Sequence, residues 1–177
     1  LTRLRKDRAE GVVLHLLEAS PRRVAPPCPL FGECGGCALQ HMDYPLQLEI
    51  KTSLVRDALR RIAHLPDHPV EPMIASPLPY GYRNRISVHT SGRSIGFRRR
   101  ASRDIVDVDR CLLASDEVNG RLAELRRNPP RRDARITLRE RSGKRGFHQV
   151  NDAAAELLAS AVAGMAGSGA LLVDAYC

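Results

Sequence analysis

Three of the chain's five cysteines, Cys28, Cys34 and Cys37, fall in one short stretch, while Cys111 and Cys177 lie far along the sequence. The two residues between Cys34 and Cys37 let both sulfurs point at one centre. These are Gly35 and Gly36, which permit the tight turn that aims amide N–H groups at thiolates. Three thiolates need a fourth ligand. Cys111 would complete an all-sulfur site, the donor set of an iron–sulfur cluster. His41, four residues after Cys37, would instead complete a compact Cys3His zinc site. Spacing alone leaves these two open. A Cys34/Cys37 redox dithiol is a third chemistry, but such pairs usually open a helix after a strand, and here prolines precede them. Unrelated buried cysteines fit poorly with so much Gly and Pro around them. The odd number of cysteines argues against a disulfide framework. No basic stub followed by an apolar run opens the sequence, so a cytoplasmic location is expected.

The elements that must hold these cysteines are marked by period and punctuation. Gly11 to Glu18 reads as a strand closing at Ser20-Pro21, and Pro26, Pro27 and Pro29 make a linker into the cysteines. Asp43 can cap a helix with Pro45 in its first turn, and Ile50, Leu54, Ala58 and Ile62 recur at helical spacing up to His64. Between Arg83 and Cys111 the period changes to two. Ile86, Val88 and Thr90 alternate with Arg85, Ser87 and His89, Ser91-Gly92 turns, Ile95 and Phe97 follow, and a short strand is expected at Ile105 to Val108. Ser115 should cap a second helix through Val118, Leu122 and Leu125, which Pro129-Pro130 ends. A further strand is expected at Arg135 to Arg139, then a helix from Asp152 to about Met165 capped by Asn151 and ended by Gly167-Ser168-Gly169. Ala170 to Tyr176 reads as a buried strand. That helix followed by an apolar strand looks like the opening of a doubly wound sheet. The fold class is α+β.

Charge narrows the partner. The 177 residues carry 28 Lys plus Arg against 20 Asp plus Glu, and all the basic residues but Lys6, Lys51 and Lys144 are arginine. A net charge of +8 attracts polyanions, and arginine grips phosphate bidentately. With 43% hydrophobic and 27% charged residues the chain is globular rather than disordered. Its longest uncharged stretch, Leu157 to Val173, is short of the ~20 residues a membrane helix needs, so no membrane partner is expected. Four Tyr, three Phe and no Trp make a broad base-stacking platform unlikely. His15, His64, His68, His89 and His148 lack ligand spacing and read as surface or packing residues.

Cys28-Pro29, Cys34-Gly-Gly-Cys-Ala-Leu-Gln-His41, Tyr44, Gln47-Leu48 and Lys51 resemble the signature of the iron–sulfur branch of the RNA uracil-C5 methyltransferases, typified by bacterial 23S ribosomal RNA enzymes. Tyr82-Arg83-Asn84-Arg85, Gly96-Phe97-Arg98, Cys111, Phe147-His-Gln-Val-Asn151 and Asp174-Ala-Tyr-Cys177 extend the resemblance in order along nearly the whole chain.

The resemblance implies three parts. Residues 1–27 would be the tail of a TRAM-type RNA-binding β-barrel and its linker, 28–145 a mixed central cluster domain, and 146–177 the first helix and strand of a Rossmann-like methyltransferase domain. It implies Cys28, Cys34, Cys37 and Cys111 as ligands of a [4Fe-4S] cluster, with His41 a structural neighbour. It also implies Gln149 as a contact to S-adenosylmethionine. Members of this family add a cysteine thiolate to C6 of uracil, so that C5 can take the methyl group, and a base then removes the C5 proton. The nucleophile and base would lie beyond residue 177, and Cys177 matches the cofactor loop instead. No catalytic residue is therefore expected in these 177 residues, and the segment alone should be inactive. The expected partner is RNA, ribosomal rather than transfer, bound by a monomer. Arg83, Arg85, Arg98, Arg99 and Arg100, set beside Tyr80, Tyr82 and Phe97, are the candidate RNA contacts. Uracil methylation requires no electron, so the cluster is expected to be structural.

Overall fold

The computed structural model describes residues 3–7, 9–11, 13–141, 148–166 and 169. Alternation of apolar and polar residues builds a four-stranded antiparallel sheet from β3 (Arg85–Ser91), β4 (Ser94–Arg98), β5 (Ile105–Asp107) and β6 (Arg135–Arg139), in the order β5-β4-β3-β6. Near the N-terminus β1 (Arg3–Leu4) and β2 (Ala9–Glu10) form a separate antiparallel pair. Three helices accompany them: α1 (Tyr44–Arg61), α2 (Asp116–Arg127) and α3 (Asp152–Ala166).

One face of the sheet is the core. Ile86 and Val88 of β3 pair with Leu138 and Ile136 of β6, and Val88 is fully buried with Val118 and Leu122 of α2. The intervening residues Arg85, Ser87 and His89 therefore fall on the other face, opposite Arg139, Thr137 and Arg135. Gly96 is required by close packing, because a Cβ there would overlap the Val106 carbonyl oxygen of β5. Arg126 of α2 locks β5 by bonding both carboxylate oxygens of Asp107 at 2.8 Å.

The caps are as the spacing predicts. Asp43 accepts from the Leu46 amide at 2.7 Å, Ser115 from Val118 at 3.3 Å, and Asn151 from Ala154 at 3.0 Å. Two expectations change. Gly11 to Glu18 is not a strand where described: Val13, Leu14 and Leu17 are 78, 80 and 100% exposed, with no neighbouring ladder to pair with among the described residues. On α1 the apolar spacing does not mark a core face, since Leu54 and Ile62 are 63 and 79% exposed while Thr52 is the buried residue. Phe147, Gly167, Ser168, the strand expected over 170–176 and Cys177 lie outside the described residues.

Candidate metal centre

Cys28, Cys34, Cys37 and Cys111 all line one cavity of about 360 Å³. Each is partly buried. The first three sit in a loop of successive turns, in which the Phe31 amide donates to the Cys28 carbonyl at 3.1 Å and the Cys34 amide to Leu30 at 2.9 Å. Backbone bonds dock this loop on the end of β4: Gly35 N–H to the Arg98 carbonyl at 2.9 Å, and Arg100 N–H to Glu33 at 2.9 Å. A Cβ on Gly35 would stand 3.0 Å from the Arg98 oxygen, so only glycine approaches this closely without strain. The Gly36 amide points at Cys34 Sγ at 3.4 Å, the geometry expected of the Gly-Gly pair.

Two buried amides that spacing did not reveal hold the sulfurs in place. Gln40, 7% exposed, accepts from the Cys28 amide at 3.2 Å and also hydrogen-bonds the Cys37 side chain. Asn119 in α2, 5% exposed, accepts from Cys111 N–H at 2.9 Å and donates to the carbonyls of Cys111 and Ala114, each at 3.0 Å. The one local signal was an asparagine inside a helix, where this residue is disfavoured unless its amide has other work.

Burial pushes the Cys34 and Cys37 thiols up, although the Gly36 amide and the Gln40 side chain oppose it by favouring the thiolates. Arg83 adds positive charge that favours the Cys37 thiolate, and its Nε is buried with no hydrogen-bond partner. Arg83 reaches this place because its backbone bridges Ala114, next to the Cys111 loop, and Asn151, at the start of α3.

His41 does not line the cavity; its ring stands 5.5 Å from that of Phe31. Among the described residues, no three side chains of His, Cys, Asp and Glu are grouped so as to hold a metal ion as they stand. That holds for the four cysteines as for the compact Cys3His set; what separates the two sets is that Cys111 lines the cavity with the other cysteines and His41 does not.

The basic candidates separate by environment. Arg85 joins Arg83 at the cavity, whereas Arg98, Arg99 and Arg100 are exposed on and after β4. Arg99 is engaged with Glu33 at 2.9 Å. Gln149 is exposed and offers its carbonyl to the Asn84 side chain at 2.8 Å. No described helix is long and apolar enough to cross a membrane.

Four thiols thus line one cavity, beside a sheet whose second face carries Arg85, Arg135 and Arg139. No family model matches the chain. Over 71% of its length it is 40% identical to an uncharacterized RNA methyltransferase of Gloeobacter violaceus, and over 69% it is 38% identical to one of Aquifex aeolicus. Over 68% it is 43% identical to the 23S rRNA (uracil(1939)-C(5))-methyltransferase RlmD of Acidithiobacillus ferrooxidans. A solved tRNA (uracil-54, C5)-methyltransferase of Pyrococcus abyssi, in complex with S-adenosyl-L-homocysteine, is 31% identical, over 64% of this chain and 24% of that one, with a TM-score of 0.43. The chain belongs to the RNA methyltransferase family. It spans 29, 29 and 28% of the three curated relatives named.

Proposed function

We propose that this chain is the cluster-bearing and RNA-binding segment of an enzyme that methylates C5 of a uridine in RNA, with S-adenosylmethionine as methyl donor. The observation that carries the reading is the convergence of Cys111 with Cys28, Cys34 and Cys37 on one cavity. The donor set is all sulfur, which suits iron–sulfur ligation, and a cluster spans a wider gap between thiolates than a single ion does. Cys28, Cys34, Cys37 and Cys111 would hold a [4Fe-4S] cluster, whose chemistry here is to cross-link the cysteine loop to the start of α2. Gly36 and Gln40 hydrogen-bond sulfur, and Arg83 supplies a cation with an unused buried donor to offset the negative charge of the centre.

Residues 1–27 are assigned to a TRAM-like domain, 28–145 to the cluster domain and 146–177 to the start of the methyltransferase domain, where Gln149 contacts the methyl donor. Arg83, Arg85, Arg98, Arg99 and Arg100 contact the RNA. Ribosomal RNA is the favoured substrate, after the RlmD relative.

Purification without air tests this. The protein should be brown and carry about four iron and four sulfide per chain. A colourless protein with one zinc per chain would overturn the reading.

A further inference from the structure

The sheet face opposite the core carries arginines that have no ion-pair partner among the described residues. His89 of β3 stands opposite Arg135 of β6 and Gly96 of β4, and Arg85 stands opposite Arg139. Directly opposed like charges destabilise a sheet. Among the described residues, Arg85, Arg98, Arg135 and Arg139 make no ion pair.

The charged groups around His89 come from each neighbouring element. Arg98 extends from β4, and Arg99, Arg100, Arg103 and Asp104 from the segment after it. Asp133 and Arg135 come from the approach to β6 and from β6 itself, and the cysteine loop contributes only Gly35 and Gly36. Asp133 is occupied by Ser91 Oγ and the Gly92 amide, both at 3.1 Å, and Arg99 by Glu33. Asp104 and Asp133 are the two acids of this notch and, among the described residues, neither makes an ion pair, against Arg98, Arg100, Arg103 and Arg135.

We infer that this face, centred on His89 between Arg98 and Arg135 and continued by Arg139, binds backbone phosphates of the RNA. The inference rests on the RNA reading above and adds His89, Arg135 and Arg139 to it. Two guanidinium forks flanking an imidazole match the oxygens of a phosphodiester. The face is poor in aromatics, so contact is to the backbone rather than to bases. Burial, then Arg98 and Arg135, hold His89 below the ordinary imidazole range, which favours the neutral ring while this face is free. A phosphate between the two arginines removes that repulsion and favours the imidazolium, which adds a donor. Binding should therefore tighten with acid.

Fluorescence anisotropy of a labelled uridine decanucleotide with the full chain tests this. Affinity should rise several-fold between about pH 7.5 and 5.5, and His89→Gln should abolish the rise. Arg135→Ala should weaken binding several-fold at both values and lower the salt slope by about one. If the wild type binds but both variants keep its affinity and pH profile, this site is wrong while the RNA reading stands. If the wild type does not bind, the RNA reading fails and this site with it. Imidazole NMR of the wild type needs no variant: the oligonucleotide should raise the His89 pKa, and an unmoved titration would overturn the proposal.

Discussion

Asn119 clasps Cys111 from both sides, accepting from its amide at 2.9 Å and donating to its carbonyl at 3.0 Å. A helix side chain thus fixes the loop that brings the remote sulfur to the cavity. Asn119→Ala leaves the Cys111 amide and the Cys111 and Ala114 carbonyls without this partner, which costs about 1–3 kcal/mol. Thermal unfolding should show a drop of several degrees, and iron content should fall with it. An unchanged melting temperature would show that the clasp contributes nothing.

The two rival ligand sets respond to different substitutions. Cys111→Ser should lose most of the iron, while His41→Ala should retain it, because His41 packs behind the cavity-lining Phe31 and does not itself line the cavity. Metal analysis of the two variants is the measurement, and the opposite pattern would restore the zinc site.

Gly96→Ala should disrupt the sheet at the β4–β5 pair. The new methyl would overlap the Val106 carbonyl oxygen and stand 3.0 Å from Val108 Cγ2, and neither neighbour can withdraw without opening the ladder. Overpacking of this kind costs about 1–3 kcal/mol or more. A urea titration should show a lower midpoint; wild-type stability would mean that the backbone gives way here cheaply.

Asp107 links acid sensitivity to α2. The Arg126 guanidinium beside it, helped by the Ile95 amide, holds its carboxyl below the ordinary carboxylate range. A depressed folded-state pKa binds fewer protons than the unfolded chain. Its contribution is therefore complete above the unfolded pKa and lost as pH falls through the folded one. Asp107→Asn should lower stability by roughly 1 kcal/mol near pH 7, since the pair is partly solvated. The difference from wild type should shrink as pH falls below the unfolded carboxylate value and vanish once the folded-state carboxyl is protonated. A difference that stays constant down to acid would assign the loss to packing.

Local signals were readable wherever a few adjacent residues decide the outcome. Asp43, Ser115 and Asn151 cap the helices expected of them, the turn expected at Ser91-Gly92 lies one residue on at Gly92-Arg93 and joins β3 to β4, and Arg135–Arg139 is β6. Burial was less readable. Leu54 and Ile62 have helical spacing yet face outward, because periodicity names a stripe without saying what covers it. Gly11 to Glu18 has strand composition but, at its described residues, not strand structure, since a strand exists only with a partner ladder.

The cysteine types and their spacing named candidate metal ligands and left two sets open, one completed by Cys111 and one by His41. They could not decide that Cys111 lines the same cavity as the other three. That depends on Asn119, on the Arg83 bridge to Ala114 and on the loop docking at Arg98, contacts formed by groups far apart in the chain. Likewise the alternation of β3 and β6 marked basic residues on one face, but the opposition of His89 to Arg135 required the register of the folded sheet. Spacing along the backbone restricts neighbours within a turn or two; distances between remote segments are set only when the core of Val88, Val118 and Leu122 closes.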